Sequence, residues 1–72
     1  MRKKTLNEID LDVIENFAAN NMNVSKAART SFLSRDSFVY HLDKIQDLLG
    51  LDPRNFYDLT ELLKMKKDGV LL

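Results

Sequence analysis

The chain has 72 residues, no cysteine, and 11 basic residues that balance 11 acidic ones. A chain of this length forms at most one domain, and without cysteine it has neither a disulfide framework nor a thiolate metal site. No apolar run reaches the roughly 20 residues of a membrane span, and the basic start MRKK leads into no signal-peptide core. The composition therefore predicts a soluble, cytoplasmic, mostly helical domain that binds no metal or other cofactor.

The two halves of the chain differ in charge. Residues 1–35 hold six cations and four acids, a net charge of +2, whereas residues 36–72 hold five cations and seven acids, a net charge of −2. Any surface for a polyanion should therefore lie toward the N-terminal half. The alternative is that this small difference reflects an ordinary solvated surface.

The first helix is predicted over about residues 8–20. Either Asn7 or Asp10 can cap it, because a short side-chain oxygen accepts a free amide of the first turn. Its apolar residues recur with helical spacing on one face: Val13, Ile14, Phe17 and Ala18. The run AANNMN ends the helix, since asparagine tolerates the left-handed conformation. Residues 1–7 are predicted to be a flexible basic tail, and Arg2, Lys3 and Lys4 form either an arm into a DNA groove or a disordered start.

Two further helices follow at close spacing. Asn23 is expected to cap a short helix over about 24–31, and Ser34 a longer one over about 35–49 that ends at a left-handed Gly50. The longer helix carries an amphipathic stripe: Phe38, Leu42, Ile45 and Leu49. The connection Ser31-Phe32-Leu33 contains no glycine, so it must use ordinary backbone angles or strain one residue.

A fourth helix is predicted over about residues 55–67. Asn55, paired with Asp58, is preferred as its cap over Asp52, because the apolar face starts there: Phe56, Leu59, Leu62 and Leu63. Gly69 ends the helix, and residues 69–72 form a tail. The prediction is an all-α, four-helix domain over residues 8–68 whose second and third helices form a helix-turn-helix.

A helix-turn-helix binds DNA by placing its second helix in the major groove. The residues expected to face outward near the start of that helix are Arg35, Asp36, Ser37, Val39 and Tyr40. Arg35 can reach a guanine or a phosphate, and the amides near Asn23, Ser25 and Ser34 can hold phosphate oxygens. Lys26 and Arg29 are candidate phosphate contacts on the supporting helix, although single surface cations usually contact nothing specific.

The segment NNMNVSKAARTSFLSRDSFVYHLDKIQDLLGLDP resembles the C-terminal helix-turn-helix of the PucR/CdaR group, bacterial regulators of purine catabolism and sugar-diacid use. More distantly, it resembles the Fis type of helix-turn-helix. The resemblance covers about residues 10–66, and an aromatic residue at Phe32 favours the PucR/CdaR group, since other helix-turn-helix units usually have glycine there. The matching residues are Asn21, Asn23, Ser25, Ala28, Phe32, Arg35, Phe38, Tyr40, Leu42, Ile45, Leu48, Gly50, Leu51 and Asp52.

The chain departs from this family at the proposed DNA surface. Ser34 stands where the family has histidine, and Asp36 stands where it has asparagine. Val39 and His41 stand where the family commonly has arginine, which adds His41 to the candidate site residues. The resemblance implies a DNA-binding output domain, whereas these departures remove cations and add an acid that repels phosphates.

Two functions therefore stay open, and neither is enzymatic, because no spacing places a nucleophile beside an oriented base. The first is sequence-specific binding of double-stranded DNA as part of a transcription regulator, either as a homodimer or joined to an upstream sensor domain. The second is protein binding or self-association with weak or no DNA binding. Neither hypothesis includes a membrane or a small-molecule ligand of this domain.

Overall fold

The computed structural model describes residues 6–69, and these residues form four α-helices and no strand. The helices are α1 (Glu8–Ala19), α2 (Val24–Thr30), α3 (Arg35–Leu49) and α4 (Phe56–Lys67). The predicted all-α, four-helix fold is confirmed, with each helix boundary within one residue of its prediction. None of these helices is long and apolar enough to cross a membrane.

The folded part begins earlier than the predicted tail over residues 1–7 allows. The Leu6 side chain is buried in the core and Asn7 caps α1, so the last two residues of that tail belong to the fold. Burial of an apolar side chain just before the cap is what keeps them there. The rest of this tail, including Arg2, Lys3 and Lys4, lies outside the described residues, as do residues 70–72 of the predicted C-terminal tail.

A polar side chain caps the start of every described helix. The side chains of Asn7, Asn23, Ser34 and Asn55 accept hydrogen bonds from backbone amides of the first turn, which satisfies donors that have no partner within the helix. Asn55 caps α4 as predicted. The Asp58 carboxylate, however, accepts from the backbone amide of Asp52 at 3.0 Å and so ties the preceding loop to the helix.

α1 is the central helix and packs against the other three. The predicted stripes of α1 and α3 meet in the core, where the ring centroids of Phe17 and Phe38 lie 5.9 Å apart. The side chains of Ala27 and Ala28 are buried, and their small size lets α2 approach its neighbours closely. The core is completed by Leu6, Leu11, Val13, Ile14, Leu42, Ile45, Leu59 and Leu62.

One residue of the predicted apolar face of α4 lies outside the core. Phe56 is 65% exposed, although its spacing placed it on the apolar face of α4. It is the first residue of that helix and lies at the rim of a groove with Ala18 and Met22. α1 ends at Ala19, and Phe56 stays exposed at the start of α4, whereas Leu59 in the same turn is buried.

Left-handed residues make the sharp turns between the helices. Asn21 and Met22 have φ values of 56° and 61° between α1 and α2, so asparagine supplies one of the two residues, as its conformational tolerance predicted. Phe32 has φ 59° between α2 and α3. The glycine-free turn therefore strains one residue, whereas Gly50 ends α3 at φ 72° without strain.

Candidate nucleic-acid interface

Hydrogen bonds fix the angle between α2 and α3. The Ser31 hydroxyl donates to the Ala27 carbonyl at 2.9 Å and accepts from the Asn16 side chain of α1 at 2.7 Å. Two backbone bonds close the turn: Phe32 N–H donates to the Arg29 carbonyl at 3.1 Å, and Leu33 N–H donates to the Ala28 carbonyl at 2.9 Å. The turn is thus held both by α2 and by the central helix.

A buried carboxylate fixes α3 against the start of α1. Asp10 is 0% exposed and accepts three hydrogen bonds: from His41 Nδ1 at 2.7 Å, Lys44 Nζ at 2.8 Å and the Asn7 backbone amide at 2.9 Å. Burial alone raises the pKa of Asp10, but the bonds from Lys44, Asn7 and His41 outweigh it and lower that pKa below its ordinary value. Two of the three donors belong to α3, so this carboxylate connects the recognition helix to α1.

His41, which the family resemblance added to the candidate DNA-binding residues, is held by Asp10 on the inner flank of α3. Its side chain is only 14% exposed, and this flank faces α1. The sequence supplied no partner for His41, because Asp10 and His41 are 31 residues apart in the chain. Lys44 was not predicted as part of any site, for the same reason.

The remaining candidate residues lie at or near the surface. Nine of them are exposed, with Tyr40 at 63%, whereas Val39 is half-buried. The Ser34 hydroxyl accepts from the Ser37 amide at 3.1 Å and donates to the Ser37 hydroxyl at 3.0 Å, so the cap itself occupies both side chains. The exposed candidates are Asn23, Ser25, Lys26, Arg29, Ser34, Arg35, Asp36, Ser37 and Tyr40.

The three cations at the corner between α2 and α3 form no ion pair within residues 6–69, and the same holds for Lys64 and Lys67 on α4. In that part of the chain Lys44, Arg54 and Lys66 each form an ion pair, whereas Lys26, Arg29 and Arg35 form none. Segment 23–42 contains these three cations and a single acid, Asp36. The start of α3 and the adjoining α2 are therefore a locally cationic surface on a chain with no net charge.

Further along α3 the outward stripe becomes acidic. Asp36, Tyr40, Asp43 and Asp47 are all exposed on it. Arg54 from the following loop reaches back to this stripe, and its Nη2 lies 2.6 Å from Asp43 Oδ1. The hydrogen bond to Asp43 raises the pKa of Arg54, and the guanidinium offsets the charge of Asp43, whereas Asp36 and Asp47 form no ion pair among residues 6–69.

Four short helices with a tightly fixed α2–α3 corner and a cationic start of α3 define a helix-turn-helix domain. The family model of the PucR C-terminal helix-turn-helix domain matches residues 11–64, which is three quarters of the chain. The chain belongs to this family, as its sequence resemblance indicated. The family's role is DNA binding in transcription regulation and is not enzymatic. Searches of curated proteins and of solved structures found no significant match.

The described residues also include no group of three histidine, cysteine, aspartate or glutamate side chains that could hold a metal ion. The polar side chains that converge inside the domain are those of Asp10, His41 and Lys44, and they satisfy one another.

Proposed function

We propose that this domain binds double-stranded DNA sequence-specifically, with the first turns of α3 in the major groove, as part of a bacterial transcription regulator in the cytoplasm. The observation that carries this proposal is the pairing of charges. The acids Asp10 and Asp43 are neutralised by Lys44 and Arg54, while the cations of α2 and of the start of α3 are left without partners in the described part of the chain. Those cations are available for phosphates, which supply most of the affinity for DNA.

Each candidate residue would have a distinct role in this mode of binding. Arg35 begins α3 and is exposed, so its guanidinium can reach guanine O6 and N7 or a phosphate. Lys26 and Arg29 lie on α2, where they would contact the backbone phosphates. Tyr40 follows Asp36 by one turn and offers its hydroxyl to a phosphate or a base edge.

The acids of α3 limit how the helix can lie in the groove. Asp47 is exposed and lies three turns beyond the start of α3, and phosphates would repel it. We therefore infer that only the N-terminal turns enter the groove and that the C-terminal turns point away from the duplex. Asp36 lies among the entering residues, where it can accept a hydrogen bond from cytosine N4.

A single module of this size has a small DNA interface. Two copies on adjacent half-sites, or fusion to an upstream sensor domain that dimerises, would multiply the affinity through effective concentration.

An amide-resolved titration of the labelled domain with duplex DNA at low salt tests the proposal. The amides of residues 23–26 and 34–40 should shift first, because they belong to the cationic corner. If shifts appear only elsewhere, for example along α4, the proposed surface is wrong.

Arg35→Ala should weaken binding by about 1–3 kcal/mol if the arginine contacts a guanine, and should reduce the salt slope by about 1 if it contacts a phosphate. Lys67→Ala is the matched control, because Lys67 is also an exposed lone cation in the described chain but lies at the end of α4. Equal losses in the two variants would mean that only total charge matters.

The second candidate function is protein binding by the same fold, and the acidic stripe of α3 favours it. Asp36 and Asp47 are exposed without ion pairs among residues 6–69, which suits a basic protein surface better than a duplex. Arg35→Ala separates the two functions, since it should weaken DNA binding by about 1–3 kcal/mol and leave a protein contact through the acidic stripe intact.

A further inference from the structure

Phe32 combines two features that stability alone does not favour. Its side chain is 96% exposed, so the ring gains nothing from burial. Its backbone has φ 59°, a left-handed conformation that costs free energy for any residue with a Cβ and none for glycine. An exposed aromatic residue in a position that suits glycine is best explained by a contact that the isolated domain does not make.

A groove lies directly beside Phe32, between α1 and the α2–α3 turn. Its volume is about 400 Å³, and its lining includes Ile9, Val13 and Leu33 together with the polar Asp12 and Asn16. A cavity of about 150 Å³ is enough to hold a benzene ring, so the groove can receive an aromatic side chain. None of the candidate DNA-binding residues lines it.

We propose that a second copy of this chain docks here, so that Phe32 of each copy enters the groove of the other. A protruding ring and a receiving groove on one surface are the self-complementary arrangement that a two-fold interface requires, because residue i then contacts residue j in both directions. Ile9, which is 49% exposed at the groove, would be covered by the partner's ring.

The charges around Phe32 and the groove also favour a second copy of this chain as the partner. Asp12 lies in the groove and Glu8 one turn before it on α1, and both are exposed without an ion pair among residues 6–69. Arg29, whose carbonyl accepts the Phe32 amide at 3.1 Å, is likewise exposed and has no ion pair in that part of the chain. The acids Glu8 and Asp12 therefore lie at the groove, and Arg29 precedes the protruding Phe32 by three residues. When two copies meet, Arg29 of one copy can pair with these acids of the other, and it would then not also contact a phosphate.

The small area of Phe32 and the groove predicts a weak dimer. A standard interface buries about 800 Å² on each partner, which is more than one ring, Ile9 and the rim of a groove can supply. Association should accordingly be visible only at high protein concentration. It should strengthen when two copies are held on neighbouring DNA half-sites.

Sedimentation velocity without DNA, from micromolar to millimolar protein, tests the proposal independently of DNA binding. The natural chain should associate reversibly, with concentration-dependent amide shifts in residues 9–16 and 30–33. Phe32→Gly should raise the dissociation constant about 30-fold or more, as loss of a central interface aromatic does. The same variant should unfold at an equal or higher temperature, because glycine relieves the left-handed strain, so lost association cannot be attributed to misfolding.

Tyr57→Ala is the matched control, because Tyr57 is 80% exposed and lies on α4. It should leave association unchanged, whereas Ile9→Lys, which charges the groove, should weaken association as Phe32→Gly does. A chain that stays monomeric at millimolar concentration overturns the proposal and leaves the groove to a different partner. Association that Tyr57→Ala abolishes and Phe32→Gly does not would overturn it as well.

Discussion

Replacing Asp10 by asparagine tests how the recognition helix is held. The Asp10 carboxylate is fully buried and is the acceptor for His41, Lys44 and the Asn7 amide. The asparagine side chain would keep one oxygen for the Asn7 amide, but its NH₂ group would face a donor from α3 and the negative charge would be gone. Asp10→Asn therefore breaks the connection between α1 and α3 with almost no change in side-chain volume.

The size of the effect follows from the bonds that are lost. A hydrogen bond to a charged group contributes about 1.5–3 kcal/mol, and removing one partner of a buried ion pair costs about 3–5 kcal/mol. The Lys44 side chain is 25% exposed and can turn to water, which offsets part of that cost. We expect the free energy of unfolding to fall by about 2–4 kcal/mol, a large fraction of the roughly 4–11 kcal/mol typical of a domain of this size.

Urea unfolding followed by circular dichroism at neutral pH and low protein concentration measures this loss. Asp12→Asn is the matched control, because it removes the same charge from an exposed position of α1 two residues away, where substitutions usually change stability by less than about 0.5 kcal/mol. If Asp10→Asn loses no more stability than Asp12→Asn, the buried carboxylate does not hold α3, and the inferred role of the cluster is wrong.

Two further predictions concern charge. The folded pKa of Asp10 lies below its ordinary value, so the unfolded chain takes up that proton first as the pH falls. The stability contributed by Asp10 should thus be complete above about pH 4, which is the pKa of an aspartate in the unfolded chain, and should decline at lower pH. The difference in unfolding free energy between the natural chain and Asp10→Asn should become smaller over the same pH range. Asp36→Asn should tighten DNA binding at low salt by about 1 kcal/mol, because it removes repulsion from nearby phosphates, and fluorescence anisotropy against Asp47→Asn measures the difference. If Asp36→Asn instead binds more weakly, and does so only to particular DNA sequences, Asp36 accepts a hydrogen bond from cytosine.

The helices were predictable because local signals agreed with one another. Asn23, Ser34 and Asn55 each precede a run with helical spacing, and each forms the expected cap. Gly50 ends α3 in the left-handed conformation that favours glycine. Such signals span only a few residues, so they can be recognised without knowledge of the fold.

The contacts of the site were less predictable because they join distant parts of the chain. The sequence offered Asp10 as a possible cap of α1, and the family resemblance made His41 a candidate DNA-binding residue. The structure pairs these residues across 31 positions, and Arg54 meets Asp43 across 11. The pairing of acids with cations depends on the packing angle between helices. The spacing of residues within one helix does not predict that angle.

The neutrality of the chain is therefore a poor guide to its affinity for DNA. Formal charge counts Asp10 and Asp43 equally with Asp36, although Lys44 and Arg54 already neutralise the first two. A phosphate near the α2–α3 corner is subject mainly to the lone charges within a Debye length, about 8–10 Å at physiological salt. Within segment 23–42 the cations Lys26, Arg29 and Arg35 outnumber the single acid Asp36, so a chain without net charge can still carry a cationic segment.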